Sequence, residues 1–74
     1  MNKWVENQFN HLYYNEDTGL IIGITHKLGN QNVVNIAKVY KENEEINLGQ
    51  YISIEFAKKA VENYWFVQQR TFIE

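Results

Sequence analysis

Chemistry in this chain would have to come from very few side chains. It has two histidines, His11 and His26, one serine, Ser53, and no cysteine. An imidazole beside a hydroxyl or carboxylate is the raw material of nucleophilic or general acid–base catalysis. The spacing argues against that use. The strand register set out below puts the two histidines on opposite faces of a sheet, so no shared site is expected. Ser53 directly precedes a helical pattern with Glu55 in its first turn, the place of an N-cap serine. Two imidazoles without a thiol fall short of a four-ligand zinc set. Glu42, Glu44 and Glu45 crowd one turn and read as solvated charge. Gly23 and Gly29 open no helix, so neither begins a phosphate-binding loop. The expectation is no enzymatic activity, no metal and no cofactor.

Binding remains, and size bears on it. A chain of 74 residues makes one domain, residues 1–74, and buries only roughly 60% of its unfolded surface. With no cysteine available for staples, good packing or self-association must supply the stability. At 45% hydrophobic and 15% aromatic, with no proline, the composition is that of a folded domain. Ten Asn and five Gln make it rich in amides. No run of 18 apolar residues could span a membrane, and the first residues lack the apolar core of a secretion signal. Absence of cysteine fits a reducing compartment, so a cytoplasmic location is expected. The formal net charge of −2 argues against broad binding to phosphate backbones. Residues 1–41 carry +1 (four Lys against three acids) and residues 42–74 carry −3 (three basic against six acidic).

The elements that would position a binding surface read as strands first and one helix last. Strands are expected at about 3–14, 20–28, 32–40 and 46–52, and a helix at about 54–70. Asn15–Gly19 is dense in turn residues, and Leu20–Thr25 is rich in β-branched ones. Gly29-Asn30 suits a two-residue hairpin turn. Ala57, Ala60, Val61, Tyr64 and Gln68 recur at helical spacing on one face. The fold class expected is α+β, a four-stranded antiparallel meander packed on one C-terminal helix.

A turn at Gly29-Asn30 would pair Ile24 with Asn35 and Ile22 with Ala37. Period-two alternation then puts Leu20, Ile22, Ile24, Ala37 and Val39 on one face, with Leu48 and Ile52 joining them beneath the helix. Asn35 is its awkward polar member. The opposite face carries Ile21, Gly23, Thr25, Lys27, Val34, Ile36, Lys38 and Tyr40, joined by Val5, Phe9, His11, Tyr13 and Tyr51. One helix covers one face, so this one stays open, and an exposed apolar patch marks a partner surface. The expected interface is Tyr13, Ile21, Val34, Ile36, Tyr40 and Tyr51, with Phe66 on the outer side of the helix. A homodimer is the first expected partner, another protein the next. Nucleic acid is the alternative, with Thr25, Lys27 and Lys38 as contacts and aromatics for base stacking.

Ile22-Gly23-Ile24, the strand to Tyr40, and Leu48-Gly49-Gln50-Tyr51-Ile52-Ser53-Ile54-Glu55-Phe56-Ala57-Lys58-Lys59-Ala60 together resemble the ethylene-response-factor type DNA-binding domain. The resemblance covers roughly residues 21–65. It implies a sheet packed on one helix and DNA read from the free sheet face. The reading positions of that family fall on Thr25, Lys27 and Lys38, and its arginines have no counterpart. The Tyr51–Glu55 segment is also similar to small coactivator-type single-stranded DNA-binding proteins, which dimerise. The whole chain resembles small phage-encoded proteins of unknown function. A self-associating accessory or regulatory binding module is the function expected.

Overall fold

The computed structural model describes residues 2–7, 10–28 and 34–73, the last five by their backbone alone. The elements are β1 (Asn2–Glu6), β2 (Asn10–Asn15), β3 (Ile21–Leu28), β4 (Val34–Lys41), β5 (Glu44–Tyr51) and α1 (Ile54–Ile73). The strands form one antiparallel sheet in chain order, and the helix packs on one face, an α+β architecture.

There are five strands where four are expected, because residues 3–14 fold back on themselves. The Asn7 amide donates to the Asn10 carbonyl (2.9 Å), and the Asn10 amide donates to Asn7 Oδ1 (2.9 Å). An asparagine side chain that caps nearby backbone in this way competes with continued strand. Phe9, expected on the open face, lies outside the described residues.

The next turn follows expectation. Asn15 Oδ1 accepts from the amides of Asp17 (2.8 Å) and Thr18 (3.3 Å), and Gly19 has φ 74°. Lys41 pairs with Glu44, which leaves Glu42 and Asn43 as a two-residue turn with Glu42 at φ 56°.

The β3–β4 register corrects the sequence reading. Leu28 pairs with Val34, and Thr25 with Ala37, so the connection has five residues, 29–33. The turn residues Gly29 and Asn30 themselves lie outside the described residues. The pairing is displaced by three positions, an odd number, and an odd slip turns one strand over relative to the other. Gly23, Thr25 and Lys27 therefore share a face with Val39, Ala37 and Asn35. That face carries the helix.

The core beneath α1 is small. Ala37, Val39, Ala57 and Val61 are fully buried, with Trp4, Tyr13, Leu48, Tyr51, Ala60 and Tyr64 packed around them. Two tryptophans tie the layers together. Trp4 stacks on Tyr13 (4.6 Å between centroids) and its indole N–H donates to Glu62 Oε2 at 2.7 Å. Trp65 Nε1 donates to the Ile22 carbonyl at 2.9 Å, where the β2–β3 register passes over Ile22. Ile52, expected under the helix, is 83% exposed in the link to α1.

Asn35 and Thr25 are the buried polar residues of this face. Asn35 Nδ2 reaches the Tyr51 carbonyl at 3.5 Å, while Thr25 Oγ1 is buried with no hydrogen-bond partner. An unpaired buried hydroxyl costs on the order of 1–3 kcal/mol. Thr25→Val keeps the shape, suits the strand and removes that cost. Urea denaturation should show a gain of about 1 kcal/mol; a loss would mean that the hydroxyl is satisfied.

Ser53 begins the helix as expected. Its Oγ accepts from the Phe56 amide at 3.2 Å, and its carbonyl accepts from the Ala57 amide at 3.1 Å. Ser53→Ala should cost about 1 kcal/mol. The same denaturation measurement checks it, with Ser53→Asp retaining most of the stability.

Candidate interaction face

Alternation along each strand defines the sheet face that α1 does not cover. It carries Val5, Leu12, Ile24, Leu28, Val34 and Ile36 across four neighbouring strands. Leu28 is 50% and Val5 37% exposed, while the central aliphatic residues are half-buried by their lateral neighbours. The distribution of sizes is inverted relative to an ordinary two-layer domain. Below the centre of the helix β3 and β4 present Gly23, Thr25, Ala37 and Val39, flanked by Tyr13, Ile46 and Leu48, while the larger aliphatic side chains of these two strands face away.

Charged groups on this open face pair with one another. Lys38 Nζ lies 3.5 Å from Glu45 Oε2, and Tyr40 also hydrogen-bonds to the Glu45 carboxylate. Burial first, then the neighbouring negative charge, pushes the Tyr40 hydroxyl above its ordinary value of 10.0. It therefore stays protonated and can donate to Glu45 throughout the physiological range. At the β1 edge, Lys3 pairs with Glu16 (3.8 Å) and lies over the Tyr14 ring (5.9 Å). The face is an apolar centre with neutralised charge near its borders, the pattern of a protein interface.

The structure brings together some of the residues expected at the interface. Val34, Ile36 and Tyr40 lie on the open face in a row along β4. Ile21 is 47% exposed at the start of β3, beside the register break. Tyr13 and Tyr51 are corrected to the helix side. Tyr13 stacks on Trp4, and the Tyr51 hydroxyl donates to the Leu48 carbonyl at 3.0 Å. Phe66 is 57% exposed on the helix and lines a groove with Asn2 and Tyr13 of the sheet.

The three expected nucleic-acid contacts do not share a surface. Thr25 is fully buried below α1, Lys27 is exposed at the end of β3 on the helix side, and Lys38 is bound to Glu45 on the other side. Ile24, expected under the helix, is part of the open face together with Leu12 and Leu28. Gly23 is the residue that could have revealed this. A glycine inside a strand often marks the close approach of another element, here Val61 of the helix.

His11 and His26 do point to opposite faces, each to the one not expected: His11 to the helix side, His26 to the open side. They nevertheless line one cavity of about 220 Å³ at the end of the sheet, with Glu6, Asn7, Asn10 and Lys27. His11 Nδ1 is 3.6 Å from Glu6 Oε1 there. Among the described residues no three His, Asp or Glu side chains are grouped as metal ligands, and no helix is long and apolar enough to cross a membrane. Compared with known proteins, the chain matches no family model, no curated protein and no solved structure.

Proposed function

We propose that the chain is a small non-enzymatic binding module that self-associates through the open face of its sheet. The observation that carries this is the uncovered row of large aliphatic residues opposite a small core whose fully buried apolar residues are alanines and valines.

The dimensions suit a second copy. Five strands at about 4.8 Å spacing and seven residues at about 3.3 Å give a face of roughly 550 Å² in plan. Two such faces exceed the roughly 1,000 Å² that a specific interface requires. Sheets pack face to face in aligned sandwiches about 10 Å apart, so the second copy would complete a second core. An isologous arrangement also closes on itself, which limits the assembly to two chains. The nucleic-acid alternative has lost ground, because Thr25 is inaccessible and Lys38 is neutralised by Glu45.

Sedimentation equilibrium across about 1–100 µM tests the proposal. Twice the chain mass in the upper part of that range is the expected result. A monomer throughout would overturn it. Titration with labelled single- and double-stranded DNA at low salt, where phosphate contacts are strongest, tests the alternative.

A further inference from the structure

We infer that assembly through this face is gated by protonation of His26, so that the pair forms at neutral pH and dissociates in mild acid. The inference rests on the self-association reading and concerns its regulation. His26 is on β3, the middle strand of five, and projects onto the open face. It stands two residues from the end of β3, so face-to-face closure by a second copy covers it where the two sheets overlap along the full length of that strand. Two-fold symmetry places two such imidazoles in one interface.

The surroundings of His26 offer a neutral ring a place and a charged ring none. Across the strand pairs it faces Asn10 of β2 and Ile36 of β4, with Ile24 and Leu28 beside it on its own strand. The diagonal neighbour on β4 is a cation, Lys38, at about 7–8 Å by sheet geometry. The carboxylate near that side, Glu45, is already held by Lys38 and Tyr40. In the cavity at the end of the sheet, Glu6 lies against His11, and Lys27 adds a second cation. The nearest polar contact of His26 itself is Nδ1 to the Lys27 carbonyl at 3.4 Å. Imidazole is the side chain that changes charge between pH 5 and 8. Covering a charged ring here would bury it between aliphatic side chains on a face whose described carboxylate beside it, Glu45, is already held, with Glu6 turned to the helix side, which strongly disfavours association.

The test measures the dimer dissociation constant by sedimentation at pH 7.5 and 5.0, with circular dichroism at both. The wild-type constant should rise at least tenfold at pH 5.0 while the fold is retained. His26→Gln should remain dimeric at both pH values, and His11→Gln, altered on the other face, should respond like the wild type. A wild-type dimer indifferent to pH overturns the gate and leaves the self-association reading standing. So does a pH response that persists in His26→Gln or disappears in His11→Gln, or acid unfolding in place of dissociation. A chain monomeric at pH 7.5 overturns both.

Discussion

Replacing Ile36 with glutamate should convert the proposed dimer into folded monomers. Ile36 is central on the open face, between His26 of β3 and Gln50 of β5. In a single chain it is half-buried and has no contact with the helix side, so a carboxylate there can stay hydrated at the sheet surface. In the dimer the same carboxylate would be enclosed, and symmetry supplies it twice. Enclosing an unpaired charge costs several kcal/mol, and each 1.4 kcal/mol is a factor of ten in affinity. The dissociation constant should rise by about a thousandfold or more, leaving a monomer at every practical concentration. Circular dichroism should keep its sheet and helix signature, and thermal unfolding should lose its dependence on protein concentration. Loss of the fold in dilute monomer would show instead that Ile36 belongs to a core within one chain. An unchanged dimer would place the interface elsewhere, with the exposed Phe66 side of the helix the first place to look.

How legible this surface was in the sequence differs strand by strand. On β4 the alternation was read correctly: Asn35, Ala37 and Val39 under the helix, Val34, Ile36 and Tyr40 outside. The strand is unbroken from Val34 to Lys41, so period two divides its residues into two faces once the helix side is known. The buried stripe of α1 and its Ser53 cap were legible for the same reason, since both depend on local spacing. The faces of β3 were misassigned because they depended on one turn. A Gly-Asn pair is a fair two-residue hairpin signal, but the real connection is longer by three residues, and an odd error exchanges the faces.

Hydrophobicity could not correct that error, because it favours the wrong face of β3: Ile22 and Ile24 stand on the open side, Gly23 and Thr25 under the helix. The deciding quantity is size. A helix approaches a sheet closely where the side chains are small, and Gly23 opposite Val39 and Thr25 opposite Ala37 make such a surface. The large aliphatic residues of β3 and β4 are then turned outward, and the exposed apolar face follows from the close seat of the helix. The division of residues 3–14 into two strands was hidden for a local reason, because it rests on the Asn7 side chain binding backbone three residues on. The candidate site was therefore legible as a face without a cover, and half of its membership was not.

That close seat makes the second large prediction. A methyl group at position 23 would stand 2.4 Å from Val61 Cγ1, with the Lys38 carbonyl at 3.4 Å and Tyr13 Cβ at 3.5 Å. Valine in a helix has one strongly preferred rotamer, so Val61 cannot easily turn aside. The helix must move outward from Ala37 and Val39, loosening the four fully buried apolar residues of the core. Gly23→Ala should therefore lower stability by about 1–3 kcal/mol, the usual cost of overpacking. Val61→Ala removes the clash at its source but leaves a gap of two methyl groups, and alone it should also destabilise. In the double variant the added methyl enters the space that Val61 vacates. Alanine also restricts the unfolded chain more than glycine does, a gain of about 0.4–1 kcal/mol where the backbone tolerates it. Gly23→Ala should therefore change sign, destabilising the wild type and stabilising Val61→Ala, with a coupling of roughly 1.4–4 kcal/mol, the sum of the two effects. Urea denaturation of the four proteins, made monomeric by Ile36→Glu so that assembly does not enter, measures the cycle directly. Additive effects would mean that Val61 does not pack over Gly23, and the close seat that turns the large aliphatic residues outward would then have to be abandoned.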